Sequence, residues 1–215
     1  MLAKYRHPNI VLLVGICSVP PNLAIVTEFV EGGSLYDLLH KKKKAVSKED
    51  KRKIVRQMLS SIAFLHEHDI VHRDIKSHNF LVEENLTTKL CDFGLARHRD
   101  LLNQGSMQFS GTPIYMAPEL FLKKSYDQSV DIFALGTLLY EIYTGDIPYY
   151  GLDPADIKDR VMKDSSLKSD PNIPKDILEV VNSCRSNNPA QRPSALKLLG
   201  MNIWWHGYKW MMFCI

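Results

Sequence analysis

IVHRDIKSHNFLVEENLTTKLCDF, residues 70–93, carries three acid or amide side chains, Asp74, Asn79 and Asp92, on loops between short apolar runs. Polar groups placed in this way work against folding stability, which points to a functional reason for keeping them. Ile70 and Val71 lead in, Phe80–Val82 and Thr88–Leu90 read as short strands, and the polar residues fall at the ends of these runs. Chemistry concentrates at such junctions.

The residue types suit magnesium-assisted phosphoryl transfer. Asp74 is a carboxylate able to accept or orient a hydroxyl proton, and Lys76, two residues on, can neutralise charge on a group in transfer. Asn79 offers a neutral oxygen and Asp92 an anionic one, and hard oxygens are what Mg²⁺ selects. Such a reaction needs positioning and charge stabilisation more than covalent help. HRDIKSHN at 72–79, DFG at 92–94 and APE at 117–119 resemble the signature set of the protein kinase family. Any one of these motifs alone is also compatible with an ordinary polar loop; three in this order form a specific signal.

The resemblance covers about residues 1–199 and is nearest to the serine/threonine kinases of the tyrosine-kinase-like group, on Lys76 and on GTPIYMAPE at 111–119. It implies a two-lobed α+β kinase fold, mostly the helical lobe with the last strands of the sheet lobe. It also implies transfer of the γ-phosphate of ATP, with Mg²⁺, to serine or threonine of protein substrates. By resemblance Asp74 is the base, Lys76 the phosphate cation, and Asn79 and Asp92 the metal ligands, with Phe93 and Gly94 completing DFG. Leu81 floors the adenine pocket, Thr27 is the gatekeeper at its back, and Glu28 to Val30 form the hinge whose backbone binds the adenine edge. Thr27 is explained equally well as a β-branched strand residue, and its place before EFVEGGS favours the hinge reading. Asp131 is implied to hold the backbone of the HRD segment, and Arg192 to pair with Glu119 of APE.

One departure matters. Neither a Gly-rich GxGxxG loop nor a VAIK-like lysine occurs in the sequence. The chain is therefore expected to be a fragment of an active kinase, inactive alone, with an upper lobe or regulatory domains in the full-length protein. A rival from another class is a pseudokinase or scaffold that binds partners through the helical lobe, and intact Asp74, Asn79 and Asp92 argue against it.

Composition sets the outer bounds. At 215 residues, 45% hydrophobic and 24% charged, the chain fits one globular domain with a sizeable core. The net charge of +3 is modest, and the run Lys41 to Lys44 reads as a solvated loop rather than a nucleic-acid or membrane patch. Cys17, Cys91, Cys184 and Cys214 are scattered, which suggests neither a disulfide framework nor a zinc site and fits a reducing, cytoplasmic compartment. No apolar run approaches the ~20 residues that span a bilayer, and the amino end does not resemble a signal peptide.

Along the chain, Val11 to Cys17 and Leu23 to Phe29 predict a hairpin across SVPPN. Ser47 with Asp50 is a capping-box variant opening a helix that runs to about His68, its stripe formed by Ile54, Val55, Met58, Leu59, Ile62 and Leu65. His66 and His68 are read as favourable charges beside that helix's C-terminal dipole. Leu95 to Pro113 predicts a mobile surface loop whose Ser106, Ser110 and Thr112 are candidate phosphorylation sites, with Arg73 placed to hold a phosphate. A serine-rich loop without regulatory use is the plain alternative. Ser129 to Tyr143 is apolar nearly all round and predicts a buried helix in which Asp131 needs partners, and Ile177 to Cys184 predicts another helix. Residues 200–215, with three tryptophans, read as an atypical hydrophobic tail: either a helix end packed on the core or altered sequence beyond the domain.

Overall fold

The six apolar side chains of the stripe from Ile54 to Leu65 are all buried on one long helix, α1 (Lys48–Glu67). The computed structural model describes residues 5–42, 45–102 and 112–205. Ser47 caps α1: its Oγ accepts the Asp50 N–H at 3.1 Å and donates to the Asp50 carboxylate at 2.9 Å. Asp50 is one methylene shorter than the usual glutamate, and here it takes the serine hydroxyl proton. At the other end the structure corrects the reading of His66. Its Nε2 faces inward to Asp131 Oδ2 at 3.0 Å, so this histidine is a buried hydrogen-bonding group and not an exposed dipole partner.

Ahead of α1, β1 (Leu13–Val19) and β2 (Asn22–Thr27) form an antiparallel hairpin in which Ile16 opposes Ile25. The first strand begins two residues later than its apolar run suggests. Ile10 and Val11 are used elsewhere: the Val11 N–H donates to Leu90 C=O at 2.9 Å, tying the chain to the sheet below. That sheet is small. After β3 (Ile70–Val71), the strands β4 (Phe80–Val82) and β5 (Thr88–Leu90) pair antiparallel, and β6 (Arg97–His98) returns to pair with β3.

The rest is helical: α2 (Pro118–Phe121), α3 (Ser129–Thr144), α4 (Pro154–Lys163), α5 (Lys175–Cys184) and α6 (Ala195–Leu199). α3 is buried along most of its length, with α5 packed on it, while α6 packs on α1. Gly145 ends α3 at φ 79°, a left-handed position that glycine adopts without a Cβ clash, and its N–H donates to Glu141 C=O. Past α6, Trp204 is fully buried and its Nε1–H donates to Leu198 C=O at 2.8 Å, while Arg56 of α1 lies over the Trp205 ring. These two tryptophans therefore contribute to the core of the helical lobe. Among the described residues no helix is long and apolar enough to cross a membrane.

Candidate active site

The loop between β3 and β4 is held from below by one buried carboxylate. Asp131, in the first turn of α3, accepts the backbone N–H of His72 at Oδ2 and of Arg73 at Oδ1, both at 2.8 Å, and His66 Nε2 meets Oδ2. Burial by itself raises the pKa of this carboxyl, but the bonds from His66 and His72 outweigh it and hold the group below its usual range. Arg73 sits at φ 67°, an unfavourable conformation for an arginine that the two bonds to Asp131 hold in place. The His72 ring is fully buried: Nε2 lies 3.1 Å from Cys91 C=O and Nδ1 3.3 Å from the Asp74 N–H. Only the neutral imidazole meets both, one nitrogen donating and the other accepting. Burial pushes its pKa down, against the upward pull of Asp131.

On that support stands the polar cluster. Lys76 Nζ lies 2.7 Å from Asp74 Oδ2 and donates to Thr112 Oγ1 at 3.2 Å. The Asn79 amide nitrogen donates to the Asp74 carbonyl and to Asp74 Oδ2, each at 2.8 Å. This orientation leaves the Asn79 side-chain oxygen facing away from Asp74. The Asn79 carbonyl accepts the Cys91 N–H at 2.9 Å, which brings the segment carrying Asp92 alongside. Asp92 is exposed, at φ 58°, and its Oδ1 accepts the Gly94 N–H at 3.2 Å. Phe93 packs edge-on to His72 with ring centroids 5.0 Å apart.

The segment leaving the hairpin reaches the same place from above. Thr27 is exposed at the end of β2, Glu28 accepts the Leu12 N–H at 2.7 Å and pairs with Lys89 at 2.6 Å, and Val30 is buried. Gly32 follows, where a Cβ would stand 1.7 Å from Val82 C=O, so only glycine lets the chain lie this close to β4. Val82 N–H then donates to Gly33 C=O at 2.8 Å and Ser34 bridges to the half-buried Leu81.

Below the cluster, Arg73 donates to Leu95 C=O at 2.6 Å and to Tyr126 Oη at 2.7 Å. Ser106 and Ser110 lie outside the described residues. Arg192 makes two bonds to Glu119, at 2.6 and 2.8 Å, and donates to Ser129 C=O and Ser186 C=O.

Two further groups were not singled out by motif reading. Glu141 is fully buried and receives Tyr115 Oη–H at 2.6 Å and His40 Nε2 at 2.8 Å. Arg185 is fully buried as well; it donates to Ser165 C=O and Tyr149 Oη, meets the Thr137 hydroxyl and lies over the Phe133 ring. Burial brings its pKa down to about 10. For Glu141 the signal was available, since it and Asp131 are the two charges on a helix otherwise largely apolar.

The sequence profile of the family described as "Protein kinase domain" matches residues 1–204. The chain belongs to the protein kinase family. It is similar to a probable serine/threonine-protein kinase of Dictyostelium discoideum, 38% identical over 94% of this chain and 22% of that protein. It is also similar to serine/threonine-protein kinase CTR1 of Arabidopsis thaliana, 35% identical over 94% of this chain and 25% of the relative. With serine/threonine-protein kinase STY17 of the same plant the identity is 36%, over 94% of this chain and 35% of the relative. This kinase chain thus spans between about a fifth and about a third of the length of these relatives.

Proposed function

We propose that the chain carries the acceptor-side and metal-side residues of a protein serine/threonine kinase, which moves the γ-phosphate of ATP to a protein hydroxyl. The observation that carries this reading is the meeting of Asp74, Lys76, Asn79 and Thr112 at the end of two strands, within a family whose similar members are named serine/threonine kinases. Asp74 accepts the proton of the attacking hydroxyl as the new O–P bond forms and the bond to ADP breaks. Lys76, already at hydrogen-bond distance from Asp74, faces the charge on the transferring group, and the Thr112 hydroxyl holds it there.

The donor set fits Mg²⁺. Asp92 and Asn79 supply one anionic and one neutral oxygen, and this ion is commonly held by one or two protein oxygens with waters and substrate phosphates completing its shell. When bound it would neutralise phosphate charge. Val30 and Leu81 are the adenine-side residues of this reading, which the approach of Gly32 to Val82 and the bridge from Ser34 to Leu81 support. In this reading Thr27 stands at the back of the adenine pocket and Glu28 begins the hinge. Arg73, Asp131, Glu119 and Arg192 position the loop and its flanking segment. The reading carries with it protein substrates, further domains in a longer protein, and a cytoplasmic setting.

The test is transfer of labelled phosphate from ATP to a serine/threonine peptide. The chain alone is expected to show little, because its 215 residues include no Gly-rich loop over the phosphates and no strand lysine. Joined to those elements from a relative, it is expected to transfer phosphate, and Asp74→Asn to lower the rate by about 100-fold to 10,000-fold. Transfer that survives Asp74→Asn unchanged would remove Asp74 from the mechanism, and a joined form without transfer would sink the reading.

A further inference from the structure

Two cavities of about 460 and 560 Å³ lie end to end beside the polar cluster. They share three lining residues, Tyr36, Ile147 and Tyr150, and so form one trough. Its near end is bounded by Lys76, Asn79 and Thr112, the groups that surround Asp74. Its far end is bounded by Asp146, Leu152 and Arg160.

The waist of this trough is aromatic and partly preset. Tyr36 stacks on His78 with centroids 3.9 Å apart and planes at 22°, and its other neighbour is the His40 ring at 4.7 Å. His40 is in turn held by buried Glu141, so the Tyr36 ring is fixed from two sides. Across from it Tyr150 is 77% exposed, a large ring with little of its surface covered. A held ring and an uncovered one at a trough's waist offer the aromatic surface on which partner side chains pack.

The charges point the same way. At the near end each carboxylate is already engaged: Asp74 by Lys76 and Asn79, and Glu141, behind the wall, by Tyr115 and His40. The remaining near-end groups are the Lys76 ammonium and the His78 ring. A lysine or arginine of a bound peptide would lose water there and find no unengaged carboxylate among the described residues that line this end. Asp146 and Arg160 at the far end have opposite signs and add no net preference.

We propose that Tyr36 and Tyr150 select the acceptor peptide, favouring an aromatic side chain next to the phosphorylated hydroxyl and disfavouring a basic one. This rests on the kinase reading above for its identification of the acceptor, but its test does not require transfer. Three labelled peptides, identical except for Phe, Ala or Arg on both sides of a central serine, are titrated with the 215-residue chain by fluorescence anisotropy. The Phe peptide is expected to bind about 10-fold more tightly than the Ala peptide, with the Arg peptide weakest. Tyr150→Ala is expected to bring the Phe-to-Ala ratio to within about 2-fold, while Tyr150→Phe, which keeps the ring, preserves it. Because the readout is a ratio, a general loss of folded protein leaves it unmoved. Arg binding as well as Phe, a ratio unchanged by Tyr150→Ala, or no measurable binding of any peptide would each overturn the proposal. Peptide ranking that holds while the joined form transfers no phosphate would instead sink the kinase reading and leave the trough's preference standing.

Discussion

His72 is the residue whose protonation the structure opposes most directly. Its two ring nitrogens serve one acceptor and one donor, and burial lowers its pKa in the fold. An unfolded histidine takes up its proton near pH 6.5. Below that value the unfolded chain binds more protons than the folded one, so stability must fall as pH falls. Lowered pKa values at His7 and His78, both from burial first, add the same sign. Asp131, whose pKa is also lowered, loses its contribution only near and below the ordinary carboxylate range. The urea midpoint of the chain is therefore expected to drop between pH 7.5 and 5.5; a flat or rising midpoint would contradict this account. Arg192 makes a second residue-scale prediction. Removing it by Arg192→Ala leaves Glu119 buried without its partner, at a cost of about 3–5 kcal/mol. The paired change Glu119→Leu with Arg192→Leu is expected to cost less than Arg192→Ala alone, as read by denaturant melts, because no charge is then stranded.

Among the elements, the β1–β2 hairpin is the one whose side chains are least covered. Val14 and Ile16 on one strand and Leu23 and Ile25 on the other are between 65 and 72% exposed. Ile16 opposes Ile25, so the two side chains form one apolar patch on a two-stranded sheet. Such a surface, with strand edges unpaired, drives self-association. Sedimentation of the 215-residue chain is expected to show association at micromolar concentration, reduced by Ile16→Lys with Ile25→Lys. A single monomeric species for the unsubstituted chain would refute it. The helices behave differently because each has a buried face. α1 was legible from its stripe and its Ser47 cap, and α3 from an almost unbroken apolar run. α4 gave little to read: five of its ten residues, PADIKDRVMK, are charged and only Ile157 and Val161 are buried.

For the molecule as a whole, the parts legible in advance are those whose cause is local: caps, stripes, short alternating strands and motif spacing. Asp74, Lys76, Asn79 and Asp92 could be named together because they lie within 19 residues of one another along the chain. What was not legible depends on partners far away. His66 looked like a helix-end charge because its acceptor, Asp131, is 65 residues on. Glu141 meets His40 across 101 residues, and Arg185 meets Thr137 across 48. β3 is two residues long and acquires its identity only from β6. These long-range bonds converge on α3, and that has a consequence for hydrogen exchange. Amides of a fully buried helix exchange only when most of the structure opens, whereas loop amides normally exchange through small local fluctuations. The backbone N–H groups of His72 and Arg73 lie on a loop, yet both donate to Asp131 on that helix. In deuterated buffer these two loop amides are expected to exchange at the pace of α3, while those of the exposed hairpin exchange well before them.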